Sequence, residues 1–156
     1  MAIMFNVKLT TVQNYIFEQH GSYRQISADE LAVVDLHAAR MMHDIERGWP
    51  VDTSTSRDAF KWVLDENPLM ISFRNHVFYA QYVHLRGTPP EPPLFETLIP
   101  RVARAHAPGL LWDMRAVTPL IEKQIEIAQA AGQRILQILA QRFFDTETLM
   151  ALGGLA

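Results

Sequence analysis

The apolar residues of this chain change period between Gly48 and Asp58. Upstream they recur at the spacing of one helix face; downstream they alternate, as in a strand with one buried side. The peptide between, Gly48-Trp49-Pro50-Val51-Asp52-Thr53-Ser54-Thr55-Ser56-Arg57-Asp58, has the residues needed to turn the chain. Gly48 is a natural helix-ending residue. Pro50 cannot continue a helix and drives Trp49 out of the α region. Asp52 and the hydroxyls of Thr53, Ser54, Thr55 and Ser56 can bond nearby backbone N–H groups, so the turn is satisfied locally. Helix before and strands after one corner point to the α+β class.

The helix entering this corner has a clear start. Ser27-Ala28-Asp29-Glu30 is a capping-box pattern, with Ile26 placed as a hydrophobic staple. Leu31, Val34, Ala38, Met41, Met42 and Ile45 then follow one face, with Asp35, Arg40, Asp44 and Arg47 mostly off it. Further upstream, Ile3, Phe5, Val7 and Leu9 alternate with Met4, Asn6, Lys8 and Thr10, which predicts a strand. Thr10 or Thr11 is the expected cap of a short helix carrying Val12, Tyr15 and Ile16 and stopped at Gly21.

Past the corner, Phe60, Trp62 and Leu64 form one alternating run and Leu69, Ile71 and Phe73 another. The polar turn Asp65-Glu66-Asn67-Pro68 between them predicts an antiparallel hairpin. The aromatic piece from Phe78 to Leu85 fits a strand or a short helix, and the prolines between Gly87 and Pro93 predict a stiff extended loop. Two further helices are expected. One is capped by Thr97 and stopped by Pro108-Gly109; the other is opened by Thr118-Pro119. The apolar seam of the second is Ile121, Ile125, Ala128, Ile135, Leu139 and Phe143, while Ile127, Leu136, Ile138 and Phe144 fall outside that seam. Apolar residues on more than one face fit either an oligomer or a thick helical layer over the sheet. The expected fold is α+β: a small antiparallel sheet of the N-terminal strand plus hairpin, packed against an N-terminal helix and a long C-terminal helix. A single domain over residues 1–156 is expected, with a flexible tail at about 149–156.

Composition and motifs argue against several functions. The formal net charge of −3 gives no basic footprint for sequence-reading of nucleic acid. Cysteine is absent, so disulfides and Cys-ligated metals are excluded. No secretory signal or membrane span is expected, and the product is expected to be soluble and cytosolic. His37 and His43 are six apart and lie on different helix faces, so they do not form a helical metal pair. His76 and His84 have no carboxylate at ligand spacing. No G-x-S-x-G, P-loop or G-x-G-x-x-G is present. Asp52 and Asp58 are better explained by turn capping and pairing with Arg57 than as a catalytic carboxylate pair. The aromatics Trp62, Phe73, Phe78, Tyr79 and Tyr82 suit a core or interface. Nothing nominates a nucleophile, a general base or a cofactor, and the expectation is that the chain is not an enzyme.

Three pieces stand in order along the chain: Pro50-Val51-Asp52-Thr53 with Arg57-Asp58, Tyr79-Ala80 with Tyr82-Val83, and Pro92-Pro93-Leu94-Phe95. Together they resemble the small neck or tail-completion proteins of long-tailed, siphovirus-type bacteriophages. The resemblance covers roughly residues 28 to 105. Ser54 stands where the family prefers glycine, and His84 where a glutamate is common.

The resemblance implies a non-enzymatic structural virion protein that forms a homo-oligomeric ring, a hexamer, joining the tail tube to the head. Its partners would be a head-side connector or stopper ring and a tail terminator or tail-tube protein. DNA would pass through the lumen without sequence-specific binding, and no membrane would be involved. The implied contact surface comprises Trp49, Pro50, Val51, Asp52, Thr53, Arg57, Tyr79, Tyr82, Pro92, Pro93 and Phe95. A tail terminator or head-closure ring shares this plan, and a non-viral regulatory or adaptor domain is the more distant alternative.

Overall fold

The computed structural model of the chain describes residues 3–49, 59–76 and 94–154, with side chains for all of these except residues 3, 94, 95 and 143–154. In chain order the elements are β1 (Ile3–Lys8), α1 (Thr10–His20), α2 (Ala28–Gly48), β2 (Phe60–Glu66), β3 (Leu69–Asn75) and α3 (Leu94–Gly154). The chain is α+β, as its pattern predicts. It divides into two compact units, Met1–Thr118 and Pro119–Ala156. Each is described by itself.

The sheet of the first unit has the order β1-β3-β2, with both pairings antiparallel. The register aligns Phe5, Phe73 and Trp62 in one row and Val7, Ile71 and Leu64 in the next. Side chains alternate across a strand, so these rows make one apolar face. The opposite face is polar: Ser72 Oγ donates to Asn6 Oδ1 at 2.7 Å, while Met4 and Val63 are exposed. Leu69, Ile71 and Phe73 are fully buried because β3 is the central strand.

α2 starts at the predicted capping box. Ser27 Oγ accepts from the Glu30 N–H, and the Glu30 carboxylate accepts from the Ser27 N–H. Its face Val34, Ala38, Met41, Met42 and Ile45 is buried in the core. α1 differs from expectation at its start: the capping position is Leu9, without a side-chain cap, and both Thr10 and Thr11 lie inside the helix. Leu9 is buried, and its N–H bonds Leu69 O at 2.9 Å, so strand pairing rather than a hydroxyl sets the boundary. At the other end Gly21 closes α1 with φ 82, the left-handed conformation that glycine adopts without Cβ strain.

Two expectations for the C-terminal half are overturned. Pro108-Gly109 does not end a helix and Thr118-Pro119 does not open one, because α3 runs unbroken from Leu94 to Gly154. The helical backbone runs on through residues 149–154. An interior proline costs about 3 kcal/mol or more, through a lost N–H and a clash with the carbonyl four residues back. Leu98, Ile99 and Val102 before Pro108, and Leu110 and Met114 after it, are all buried. Each such side chain contributes about 1.5–3 kcal/mol, so burial on both sides outweighs the break. Pro108 and Pro119 are themselves exposed, where water can solvate the carbonyl that loses its donor.

Candidate interaction surface

In the first unit α2 and α3 run antiparallel, and polar contacts hold them in register. His37 Nε2 lies 2.6 Å from Asp113 Oδ2, and His106 Nε2 lies 2.6 Å from Asp44 Oδ2. Each helix advances seven residues between the contacts, about two turns. Beyond them, Thr118 Oγ1 donates to Glu30 Oε2 at 2.7 Å. His37 is buried and its Nδ1 has no partner. A buried acceptor left unused is tolerated better than a buried unused donor. Nε2 is the ring nitrogen that donates to the Asp113 carboxylate.

Glu30 is fully buried and its carboxylate is saturated. Arg24 donates to both oxygens, at 2.6 and 2.9 Å, and the Ser27 N–H and Thr118 Oγ1 supply two more bonds. Burial by itself raises the pKa of this group. The hydrogen bonds from Arg24, Thr118 and Ser27, with the Arg24 charge, outweigh burial and hold it below the usual carboxylate range. A carboxylate so fully used is structural and has no lone pair left for acid–base chemistry.

The first unit also carries an apolar notch of about 460 Å³, with Leu9, Val12, Ala107 and Leu110 among its walls. Among the described residues, Lys8 and Arg104 are the charged residues that line it, and no carboxylate or histidine does. Among the described residues no group of His, Asp and Glu is arranged to hold a metal ion, and no helix is long and apolar enough to cross a membrane.

Among the described residues, six of the eleven exposed large hydrophobic side chains lie in the second unit. Leu120 is 62% exposed and Leu136 67% exposed, and Ile127, Ile135, Ile138 and Leu139 are exposed with them. Ile121 is buried and Ile125 half-buried. Glutamines at 124, 129, 133, 137 and 141 fill much of the remainder, with few charges among them. Six large exposed aliphatic side chains within about six turns of one helix form a patch that soluble chains usually cover.

The implied contact residues fare differently. Trp49 is a correction: it is 2% exposed and packs edge-on against Phe60 at 4.9 Å between ring centroids, so it belongs to the core of the single chain. The indole is apolar enough to be drawn into the core, where it stacks edge-on with Phe60. Pro50, Val51, Asp52, Thr53, Arg57, Tyr79, Tyr82, Pro92 and Pro93 lie outside the described residues, as do the expected loop 87–93 and the aromatic piece 78–85. Phe95 is placed by its backbone in the first turn of α3. The apolar residues outside the helical seam were visible in sequence; the His–Asp pairs and the Arg24–Glu30–Thr118 network were not. No protein-family model, no curated protein and no solved structure matches the chain.

Proposed function

We propose that the chain is a non-enzymatic structural protein that assembles with copies of itself into a ring, and that this ring is the tail-completion, head–tail joining ring of a long-tailed phage neck. The observation that carries the assembly reading is the exposed aliphatic surface of residues 120–139. Leaving it in water forgoes burial worth about 25 cal/mol per Å² of apolar area. The neck assignment rests on the ordered resemblance of Pro50-Val51-Asp52-Thr53, Tyr79-Ala80 and Pro92-Pro93-Leu94-Phe95. The net charge of −3 is compatible with a channel that must release DNA, since tight binding would require phosphate-neutralising cations.

Size-exclusion chromatography with light scattering tests the assembly, on the protein alone and mixed with head-connector and tail-tube proteins. A ring of several copies that joins one of these components is the expected result. A strict monomer that associates with neither sinks the proposal.

A further inference from the structure

The polar face of the sheet carries a row with two cations and no counterion. The register sets Met4, Arg74 and Lys61 side by side across β1, β3 and β2. Paired residues of neighbouring strands point to the same face with Cβ atoms about 4.5–5.5 Å apart, and like charges placed so repel. Among the described residues neither Lys61 nor Arg74 is in an ion pair. On this face of β2 the carboxylate is Asp65, four residues along and about 13 Å away. Lys8 stands in the row of Asp65 and balances it. Arg74 is half-buried in the central strand, and its Nε is shielded from water without a hydrogen-bond partner. A buried donor left unmade forfeits its hydration. The buried Arg24 shows the usual remedy, since Glu30 accepts from it with both oxygens. No described residue does this for Arg74.

We infer that this row docks an acidic segment of a partner protein, with one carboxylate bridging Arg74 and Lys61 and its apolar neighbours resting on Met4 and Val63. An arginine fork matches the two oxygens of a carboxylate, and a lysine beside it adds a point charge. Met4 ends the row and Val63 stands next to Lys61's row on β2; both are exposed. Ser72 and Asn6, between them, already bond each other and ask nothing of a ligand. Duplex DNA fits this face poorly. It carries a charge about every 1.7 Å of its axis, so phosphates would also lie over Asp65 and the two apolar side chains. A single carboxylate among apolar side chains meets each group with its complement. The site belongs wholly to the first unit and does not rest on the ring reading.

Fluorescence anisotropy on the full chain tests this, with a labelled seven-residue peptide in which leucine and serine alternate around one central glutamate. Its glutamine counterpart and an unlabelled DNA duplex are the controls. The glutamate peptide is expected to bind at least fivefold more tightly than the glutamine peptide, and the duplex is expected not to displace it. Lys61→Met and Arg74→Met keep the aliphatic stem, and each is expected to erase that preference. Removing either charge also relieves the repulsion, so the thermal midpoint is expected to hold or rise, the reverse of what a structural cation gives. Equal binding of the two peptides, binding of neither, displacement by the duplex, or a preference that survives both substitutions would overturn the inference. A midpoint lowered by both substitutions would overturn it as well, since the two cations would then be stabilising the chain alone.

Discussion

His37 on α2 and Asp113 on α3 meet at 2.6 Å, and two turns away the same contact recurs with the residue types exchanged, Asp44 on α2 and His106 on α3. Apolar helix faces tolerate sliding, because one methyl group replaces another at little cost. Two directional contacts at matched spacing do not, so a slip by one turn loses both. The pairs differ in exposure: the His37 side chain is 4% exposed and that of His106 20%.

That difference makes the pairs unequal. Asp113→Ala leaves His37 Nε2 buried without an acceptor and is expected to destabilise the fold by about 1–3 kcal/mol. Asp44→Ala leaves His106 where water reaches it and is expected to cost about 0–1 kcal/mol. Asp113→Asn keeps an acceptor and is expected to fall near the lower value. Urea unfolding of the three variants checks the order, and an Asp44→Ala as costly as Asp113→Ala would refute it.

Glu30→Gln is expected to be among the most damaging single changes in the first unit. Removing one partner of a buried ion pair leaves the Arg24 charge poorly compensated, at a cost of about 3–5 kcal/mol. The pH dependence follows from the lowered Glu30 pKa. A carboxylate depressed in the folded state adds stability above its unfolded pKa of about 4.3, and that stability is lost as pH falls from there through the folded value. Equilibrium unfolding between pH 7 and pH 3 is expected to show a smaller acid loss in Glu30→Gln than in wild type. An identical pH slope would exclude Glu30 as a contributor.

Gly48→Ala tests the close approach of α2 to α3. A Cβ there would stand 2.6 Å from Leu98 Cδ1, and Leu98 is buried. Displacing a packed leucine costs about 1–3 kcal/mol. Leu98→Ala costs about 2–5 kcal/mol by leaving a cavity. The two changes relieve one another, so the double variant is expected to be less destabilised than the sum. Thermal melts of the cycle decide this, with strict additivity as the contrary outcome.

Pro108→Ala is expected to stabilise. It returns an N–H to the helix and removes the clash with the Arg104 carbonyl, a gain of up to about 3 kcal/mol. Greater freedom of the unfolded chain offsets about 0.4–1 kcal/mol of that. A rise in the denaturation midpoint with unchanged m-value is expected; a fall would mean that the proline shapes a contact the packing needs.

Much of the fold was legible residue by residue. The Ser27–Glu30 capping box, the Gly21 stop and the alternation through β1, β2 and β3 are local signals, and each is found where the pattern places it. The failures share one cause. Pro108-Gly109 and Thr118-Pro119 are strong local breakers, yet buried residues on both sides carry α3 through them. Trp49 was assigned to a surface because its neighbours are turn residues, but Phe60, across the corner, claims its ring. Of the candidate surface, the apolar excess at Ile127, Leu136 and Ile138 was readable from spacing. Its exposure was not, since spacing does not distinguish a helix covered by its own chain from one that is not.

By itself, then, the sequence determined the element types, the strand alternation and the helix ends closed by local hydrogen bonds, because those interactions span only a few residues. Tertiary structure decided the length of α3, the burial of Trp49 and the antiparallel register of α2 on α3. His37 and Asp113 are 76 residues apart, and Glu30 and Thr118 are 88 apart. Contacts over such separations exist only once the chain has closed on itself. Thr118 shows the difference most plainly: beside Pro119 its hydroxyl looks like a helix cap, and in the folded chain that hydroxyl bonds the buried carboxylate of Glu30 instead.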